Sequence, residues 1–123
     1  MNRYFPFNAK KVCTHLGLVA LIVCISFTAS AQLNVQASYA LVKRIIPQQA
    51  ESFIIEPLQQ QNGKDVFEIE SKNHKIILRG NTGVAVASGL YYYLTEYCHC
   101  QITWNGTNLN LPKQLPVVKR KNL

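Results

Sequence analysis

The stretch Ile76-Ile-Leu-Arg-Gly-Asn-Thr-Gly-Val-Ala85 decides the fold, because a strand gives way to a helix within it. The apolar, β-branched run at residues 75–79 predicts a central strand. The Gly-Asn-Thr-Gly break ends that strand, and Asn81 or Thr82 can cap a helix by accepting a hydrogen bond from a free backbone N–H. Residues 84–98 are apolar and include several small side chains. They predict a helix that lies close against a sheet.

Patterns on either side of this stretch predict one more helix and four more strands: a helix at 37–46, and strands at 52–57, 65–70, 101–104 and 108–111. Asn62-Gly63 predicts a hairpin turn, so the first three strands are expected to be antiparallel neighbours. In the last pair of strands, Leu109 and Leu111 are expected opposite Ile102 and Trp104. The fold class is therefore α+β: a small two-layer sandwich with a mostly antiparallel sheet and two helices on one face.

Residues 1–31 have the organisation of an export signal that precedes this domain. Basic residues come first, and an apolar run of 12 residues follows at 16–27. Small side chains then predict cleavage after Ala31. Because a spanning helix needs about 20 apolar residues, the segment favours a cleaved signal over a permanent anchor. The chain is therefore expected to be exported to a periplasmic, extracellular or lysosomal compartment, and to meet a membrane only through this signal.

The basic balance of the chain does not indicate a nucleic-acid partner. The 123 residues carry 13 Lys+Arg and 6 Asp+Glu, a formal net charge of +7. Beyond residue 31 there remain 10 basic and 6 acidic residues, and three of the basic ones are Lys119, Arg120 and Lys121. A nucleic-acid surface would instead cluster its charge on the folded domain. The domain is thus expected to span residues 32–116, and residues 117–123 are predicted to form a solvated basic linker.

Two cysteines, Cys98 and Cys100, remain beyond the signal, too few for a disulfide-framed miniprotein. They are candidates for a disulfide in an oxidising compartment, for buried thiols, or for pairing with a cysteine elsewhere. Zinc needs ligands that surround one point, and three consecutive residues cannot converge in that way. The Cys-His-Cys run therefore predicts neither a metal site nor a cofactor.

The acidic residues do not predict a catalytic pair. Glu68 and Glu70 lie two residues apart on one strand face, and Lys72 and Lys75 follow them closely. We interpret this as a solvated face screened by lysines. A domain of this size also lacks an obvious walled cleft in which a catalytic pair could act. No residue of the chain is therefore predicted to be catalytic.

Exposed aromatic residues are the candidates for contact with a partner. Three consecutive tyrosines on a helix point about 100° apart, so Tyr91, Tyr92 and Tyr93 cannot form one flat platform. Tyr93 is predicted to pack on the sheet. Tyr91, Tyr92 and Trp104 remain candidates for a domain interface or a sugar contact.

The stretch from Ile76 to Pro116 also resembles a known family. The resemblance is carried by the opening strand–turn–helix stretch and by Ser88-Gly-Leu-Tyr-Tyr-Tyr-Leu94, Tyr97-Cys-His-Cys100, Trp104-Asn-Gly106 and Leu111-Pro-Lys-Gln-Leu-Pro116. Together these motifs resemble the N-terminal domain of the alpha-N-acetylglucosaminidases, which are glycoside hydrolases.

The resemblance implies a partner and a role. In that family the domain is followed by a catalytic (α/β)8 barrel, which removes terminal alpha-linked N-acetylglucosamine with retention by means of two glutamates. Those catalytic residues have no matching positions in this sequence. The chain is therefore expected to be a non-catalytic accessory domain of an exported enzyme, with the barrel as its partner. The alternative is a free-standing exported module that binds a carbohydrate or another partner.

Overall fold

The computed structural model describes residues 33–60 and 62–123, so the export signal predicted at residues 1–31 lies outside the described residues. Two helices and six strands follow one another along these residues, with a short 3-10 turn before the first strand. In chain order they are α1 (Val35–Ile45), the 3-10 turn (Ala50–Ser52), β1 (Phe53–Pro57), β2 (Phe67–Lys72), β3 (Lys75–Gly80), α2 (Gly83–Glu96), β4 (Gln101–Thr103), β5 (Gly106–Asn108) and β6 (Lys121–Asn122).

The turn between β3 and α2 is fixed by two polar side chains. Thr82 caps α2, because its hydroxyl oxygen accepts a hydrogen bond from the N–H of Ala85 at 3.1 Å. The buried amide of Asn81 accepts a hydrogen bond from the N–H of Val66 at 3.0 Å and donates one to the carbonyl of Lys64 at 2.5 Å. The strand-to-helix turn is thereby bonded to the connection that leads into β2.

The main sheet is mixed, with the strand order β1-β3-β2-β6. The prediction that the first three strands are antiparallel neighbours is wrong for β1, which pairs parallel with β3. Asn62 and Gly63 do have the positive φ values of a tight turn, 50° and 68°. However, β1 ends opposite Gly80 and β2 begins opposite the same residue. The connection 58–66 therefore passes the end of β3 instead of closing a hairpin.

Both helices pack on one face of this sheet, so the predicted two-layer α+β fold is confirmed. Alternate residues of the three long strands face the helices and interlock with one side of each helix. The fully buried side chains at the centre are Val42, Ile69, Leu78, Val86, Leu90, Tyr93 and Leu94. Three of the four strand pairs, counting the separate β4–β5 hairpin, are antiparallel.

The basic tail is part of the fold, in contrast to the solvated linker predicted for residues 117–123. Val118 is only 2% exposed and belongs to the core. Its backbone N–H donates to the Ser71 hydroxyl at 2.8 Å, and its carbonyl accepts from the Ser71 N–H at 2.9 Å. Lys121–Asn122 then pairs with β2 as the edge strand β6. Burial of the apolar Val118 side chain in the core stabilises this segment, although the residues that follow it are charged.

The β4–β5 hairpin is shorter than the sequence predicts. Ile102 lies opposite Thr107, and Thr103 lies opposite Gly106. The Thr103 hydroxyl donates to the carbonyl of Gly106 at 3.0 Å and closes the turn. Leu109 and Leu111 therefore lie beyond the hairpin, where they pack against the core.

Ion pairs around Arg79 cover the second face of the sheet. Its guanidinium lies 2.6 Å from carboxylate oxygens of both Glu56 and Glu70, and 3.7 Å from one of Glu68. Glu68 is only 7% exposed and also binds Arg120 at 2.9 Å. The expectation of a solvated, lysine-screened face was therefore wrong, because the carboxylates are neutralised by arginines of β3 and the tail.

We predict that Gly80→Ala destabilises the fold while Gly83→Ala does not. A Cβ at position 80 would lie 2.7 Å from Cγ2 and 2.9 Å from the backbone nitrogen of Val86. Relieving that overlap should lower the free energy of unfolding by about 1–3 kcal/mol. At position 83 the nearest atom is the Ser38 hydroxyl at 3.9 Å, so alanine fits there. Urea unfolding of the full chain, followed by circular dichroism, measures both; equal midpoints would contradict the close contact.

We also predict a pH-dependent effect of Glu70→Gln. The hydrogen bond from Arg79 holds the pKa of Glu70 below its ordinary value of 4.5. The ion pair therefore stabilises the folded state above that pH, and its contribution is lost as the pH falls through the lowered pKa. Because the pair lies near water, the wild-type chain should exceed the variant by no more than about 1 kcal/mol at neutral pH.

The measurement is the free energy of unfolding of both proteins from about pH 7 to about pH 3. The difference between them should shrink over the acidic half of this range. Glu96→Gln, at an exposed residue without an ion pair in the described part of the chain, is the control and should show a smaller change. A pH-independent gap for Glu70→Gln would show that the pair with Arg79 does not act as described.

Candidate functional site

The outward face of α2 is apolar. The helix carries a single charged residue, Glu96, at its last position. Its inner side is buried against the sheet, yet Val84 is 66% exposed and Tyr91 is 48% exposed on the outer side. Ser88 lies between them at helical spacing, so these three residues form one uncharged stripe, named here the outer face of α2. Large apolar side chains exposed together on an uncharged helix side are typical of a surface that contacts a partner.

The three consecutive tyrosines have three different environments, as their spacing predicts. Tyr93 is fully buried; its hydroxyl donates to the carbonyl of Pro116 at 2.9 Å, and burial raises its pKa. Tyr92 is half-buried, and its hydroxyl accepts a hydrogen bond from Nζ of Lys121, which also lies 5.0 Å from the ring centre. Tyr91 alone points mainly to solvent.

Trp104 lies at the turn of the β4–β5 hairpin. Its side chain is 95% exposed and makes no ring contact with another aromatic residue in the described part of the chain. The neighbouring residues from Cys100 to Pro112 carry no charge. An indole this exposed on an uncharged hairpin is unusual for a surface that faces only water.

The candidates for contact with a partner differ in their exposure. They are Tyr91, Tyr92 and Trp104. Tyr91 and Trp104 are available, one on the outer face of α2 and one on the hairpin. Tyr92 instead binds within the domain, where its ring contacts Phe67 and Tyr97 at centroid distances of 6.1 and 6.2 Å. Sequence spacing shows that the tyrosines diverge, but it cannot show that Lys121 binds one of them.

Cys98 and Cys100 are buried and are not bonded to each other in this structure. Burial raises the pKa of Cys98 to about 11 and also raises the pKa of Cys100. The Cys100 thiol donates a weak hydrogen bond to the carbonyl of Cys98 at 3.7 Å. Because the thiolate is the reactive form, neither side chain is an effective nucleophile at neutral pH. Of the alternatives left open by the sequence, this structure contains separate buried thiols.

The carboxylates near the centre of the sheet do not form an acid–base pair for glycoside hydrolysis. That chemistry needs one carboxyl group with a raised pKa. The pKa of Glu70 is lowered, because Arg79 donates a hydrogen bond to it. Glu68 is held between Arg79 and Arg120. These groups are therefore suited to closing the sheet surface rather than to proton transfer.

The described residues, 33–60 and 62–123, line two surface cavities among others. One of about 300 Å³ lies where α1 ends, between Ile46 and Leu111. The other, of about 530 Å³, lies beside the turn that joins β2 and β3. No carboxylate side chain lines either cavity.

Within 33–60 and 62–123, no three His, Cys, Asp or Glu side chains are grouped so that they could hold a metal ion. Neither helix in this part of the chain combines the length and the apolar character needed to cross a bilayer.

Known proteins share both sequence features and the fold of this chain. Residues 36–117 match the family model described as the alpha-N-acetylglucosaminidase (NAGLU) N-terminal domain. Human alpha-N-acetylglucosaminidase is 37% identical over 116 residues, which cover 90% of this chain and 16% of the human protein.

Two solved structures of a family 89 glycoside hydrolase from Clostridium perfringens share the fold. One is in complex with PUGNAc and the other with 2-acetamido-1,2-dideoxynojirmycin. Each matches with a TM-score of 0.67 and 37% identity, covering 72% of this chain and 10% of the enzyme chain. The chain thus spans only a small part of the relatives it matches. With a family match over most of its length, the chain belongs to the alpha-N-acetylglucosaminidase N-terminal domain family.

Proposed function

We propose that the chain is a non-catalytic N-terminal accessory domain of an exported glycoside hydrolase similar to alpha-N-acetylglucosaminidase. Its task is to pack against the catalytic part of that enzyme, a barrel that releases terminal alpha-linked N-acetylglucosamine. The small share of the relatives' length, 16% and 10%, supports a domain that works as part of a larger protein. The export signal predicted at residues 1–31 supports a secreted or lysosomal enzyme.

The observation that carries the proposal is the outer face of α2. Val84 and Tyr91 expose large apolar side chains on a helix that carries only one charge. Apolar area removed from water contributes about 25 cal/mol per Å², so covering this stripe favours association. The enzyme's own catalytic part is the occupant proposed here, because the relatives provide a long polypeptide beyond the matched domain.

The absence of catalysis is proposed from the carboxylates. Glu56, Glu68 and Glu70 are all committed to Arg79 or Arg120. The other acidic residues, Glu51, Asp65 and Glu96, are exposed. No carboxylate of the described chain lines one of the two cavities, so none is placed to protonate a glycosidic oxygen there.

Trp104 favours a second candidate, a free-standing module that binds carbohydrate. A fully exposed indole can stack on a sugar ring, and the uncharged hairpin around it would not repel a neutral glycan. The same exposure suits an aromatic residue that becomes buried at a domain interface. The two candidates therefore differ in what covers the Trp104 indole. In the carbohydrate module it is a sugar ring, and in the accessory domain it is another domain of the enzyme.

Docking through α2 predicts that Tyr91→Arg weakens a joined enzyme but not the lone chain. The joined enzyme is the Clostridium perfringens hydrolase with residues 33–123 of this chain in place of its own matching region. Burying an arginine at the interface should lower its first unfolding midpoint by about 2–4 °C. In the lone chain Tyr91→Arg should change the free energy of unfolding by less than about 0.5 kcal/mol, because the position is exposed.

Gln36→Arg on the exposed side of α1 is the matched control, and it should leave both proteins unchanged. Thermal unfolding followed by calorimetry gives all the values. Docking through the outer face of α2 would be refuted by a joined enzyme that tolerates Tyr91→Arg as well as it tolerates Gln36→Arg.

A binding titration separates the accessory domain from the carbohydrate module. Trp104 is the sole tryptophan, so its fluorescence reports directly on a ligand that stacks on the hairpin. For an accessory domain, N-acetylglucosamine up to about 10 mM should leave the emission unchanged, since a pocket-free surface gives little affinity. A saturable shift that Trp104→Ala abolishes would favour the module instead. Hydrolysis of a nitrophenyl alpha-N-acetylglucosaminide by the purified chain would exclude the non-catalytic assignment.

A further inference from the structure

The turn of the β4–β5 hairpin carries an N-glycosylation pattern that the proposed function does not use. Asn105 is followed by Gly106 and Thr107, which fits Asn-X-Ser/Thr with X other than proline. No other asparagine of the 123 residues is followed two positions later by serine or threonine. Because the pattern is short and also arises by chance, its meaning depends on where the fold places it.

The fold places the whole pattern on the surface. Residues 103–108, which include the turn and all of β5, are exposed. A Cβ built on Gly106 would meet no atom within 4 Å, so open space surrounds the centre of the pattern. A bulky group on the neighbouring Asn105 can therefore extend into solvent, which is where N-linked glycans are found in folded proteins.

The hairpin does not use the amide of Asn105 to hold its turn. The turn is closed by the Thr103 hydroxyl, which donates to the carbonyl of Gly106 at 3.0 Å. The strand pairing joins Thr103 to Gly106 and Ile102 to Thr107, and Asn105 lies between the paired positions. Among residues 33–60 and 62–123, no side-chain hydrogen bond involves the Asn105 amide. Its modification would therefore break no contact of the described domain.

A second Asn-Gly turn supplies a comparison within the same chain. Asn62 and Gly63 have the positive φ values of a tight turn, 50° and 68°, and both residues are exposed. The next residue is Lys64, so this turn lacks the hydroxyl that the glycosylation pattern requires. The two turns share the dipeptide and the exposure, and they differ in the residue that follows.

We propose that Asn105 is a modification site, which accepts an N-linked oligosaccharide in a secretory compartment that contains the transferase. The donor is an oligosaccharide linked to a lipid diphosphate. The amide nitrogen of Asn105 forms a bond to the anomeric carbon of the first sugar and loses a proton. The bond from that carbon to the diphosphate oxygen breaks, and the lipid diphosphate leaves with the electron pair.

A glycan at this position also gives the exposed indole a covering. Trp104 directly precedes Asn105 in the turn and is 95% exposed. A bulky, hydrated oligosaccharide beside it would limit its association with other apolar surfaces. The inference rests on the export proposed above, but it does not depend on docking through the outer face of α2, because no residue is shared.

The test is production of the full chain in insect cells behind a secretion signal of the host. The chain from cells and medium is treated with peptide-N-glycanase in heavy-oxygen water and is analysed by peptide mass spectrometry. The enzyme converts a glycan-bearing asparagine to aspartate with one heavy oxygen atom. A sample without the enzyme controls for spontaneous deamidation of the two Asn-Gly turns. We expect enzyme-dependent label at Asn105 and none at Asn62.

Three variants define the site. Thr107→Val keeps the β-branched shape but removes the hydroxyl, so the label at Asn105 should be lost. Thr107→Ser keeps a hydroxyl and should retain the label. Both should fold alike, because position 107 is exposed. Lys64→Thr completes the pattern at the comparison turn and should add label at Asn62, which shows that the host modifies an exposed Asn-Gly turn.

The proposal is overturned by a chain with the host signal that has no label at Asn105, most directly when Lys64→Thr is labelled at Asn62. Label at Asn105 that persists in Thr107→Val would also overturn it. A failure of the proposed export gives a different result. The chain with only its own residues 1–31 as a signal would then stay unlabelled, while the chain with the host signal is labelled at Asn105.

Discussion

The amide of Asn81 holds the strand-to-helix turn and the entry to β2 together. The chain must leave β1, pass the end of β3 and enter β2, and this passage exposes backbone groups that no strand satisfies. Asn81 pairs with two of them, the N–H of Val66 and the carbonyl of Lys64. One side chain therefore holds the turn that begins α2 to the connection that enters β2.

The sheet layer and the helix layer of the domain expose different kinds of side chain to solvent. On the sheet side, Arg79 gathers three carboxylates, so that the face is closed by charges the domain supplies itself. On the helix side, α2 has no comparable set of charges and leaves Val84 and Tyr91 exposed. This asymmetry is informative about function. The docking proposed above depends on the uncharged stripe of α2 and not on the charged face around Arg79.

Elements set by local sequence could be predicted, and elements set by distant contacts could not. The capping of α2 by Thr82 and the divergence of the three tyrosines follow from spacing within one turn of helix. The parallel pairing of β1 joins Phe53 to Ile76, and the ordering of the tail depends on Val118 reaching a core built from residues far away in sequence. The pairing of Glu68 with Arg120 likewise joins residues 52 positions apart. Neither charge pattern nor periodicity contains that information.

The ordered tail, residues 117–123, contacts both β2 and α2. Leu123 and Phe67 exchange two backbone hydrogen bonds at 3.0 Å, which hold the last residues along β2. Just before them, Lys121 binds the hydroxyl of Tyr92, the residue next to Tyr91 on α2. A polypeptide that continued from Leu123 would therefore start from a fixed position beside α2 rather than from a flexible linker. Under the accessory role proposed above, fixing that position would lower the entropy lost on docking against the outer face of α2.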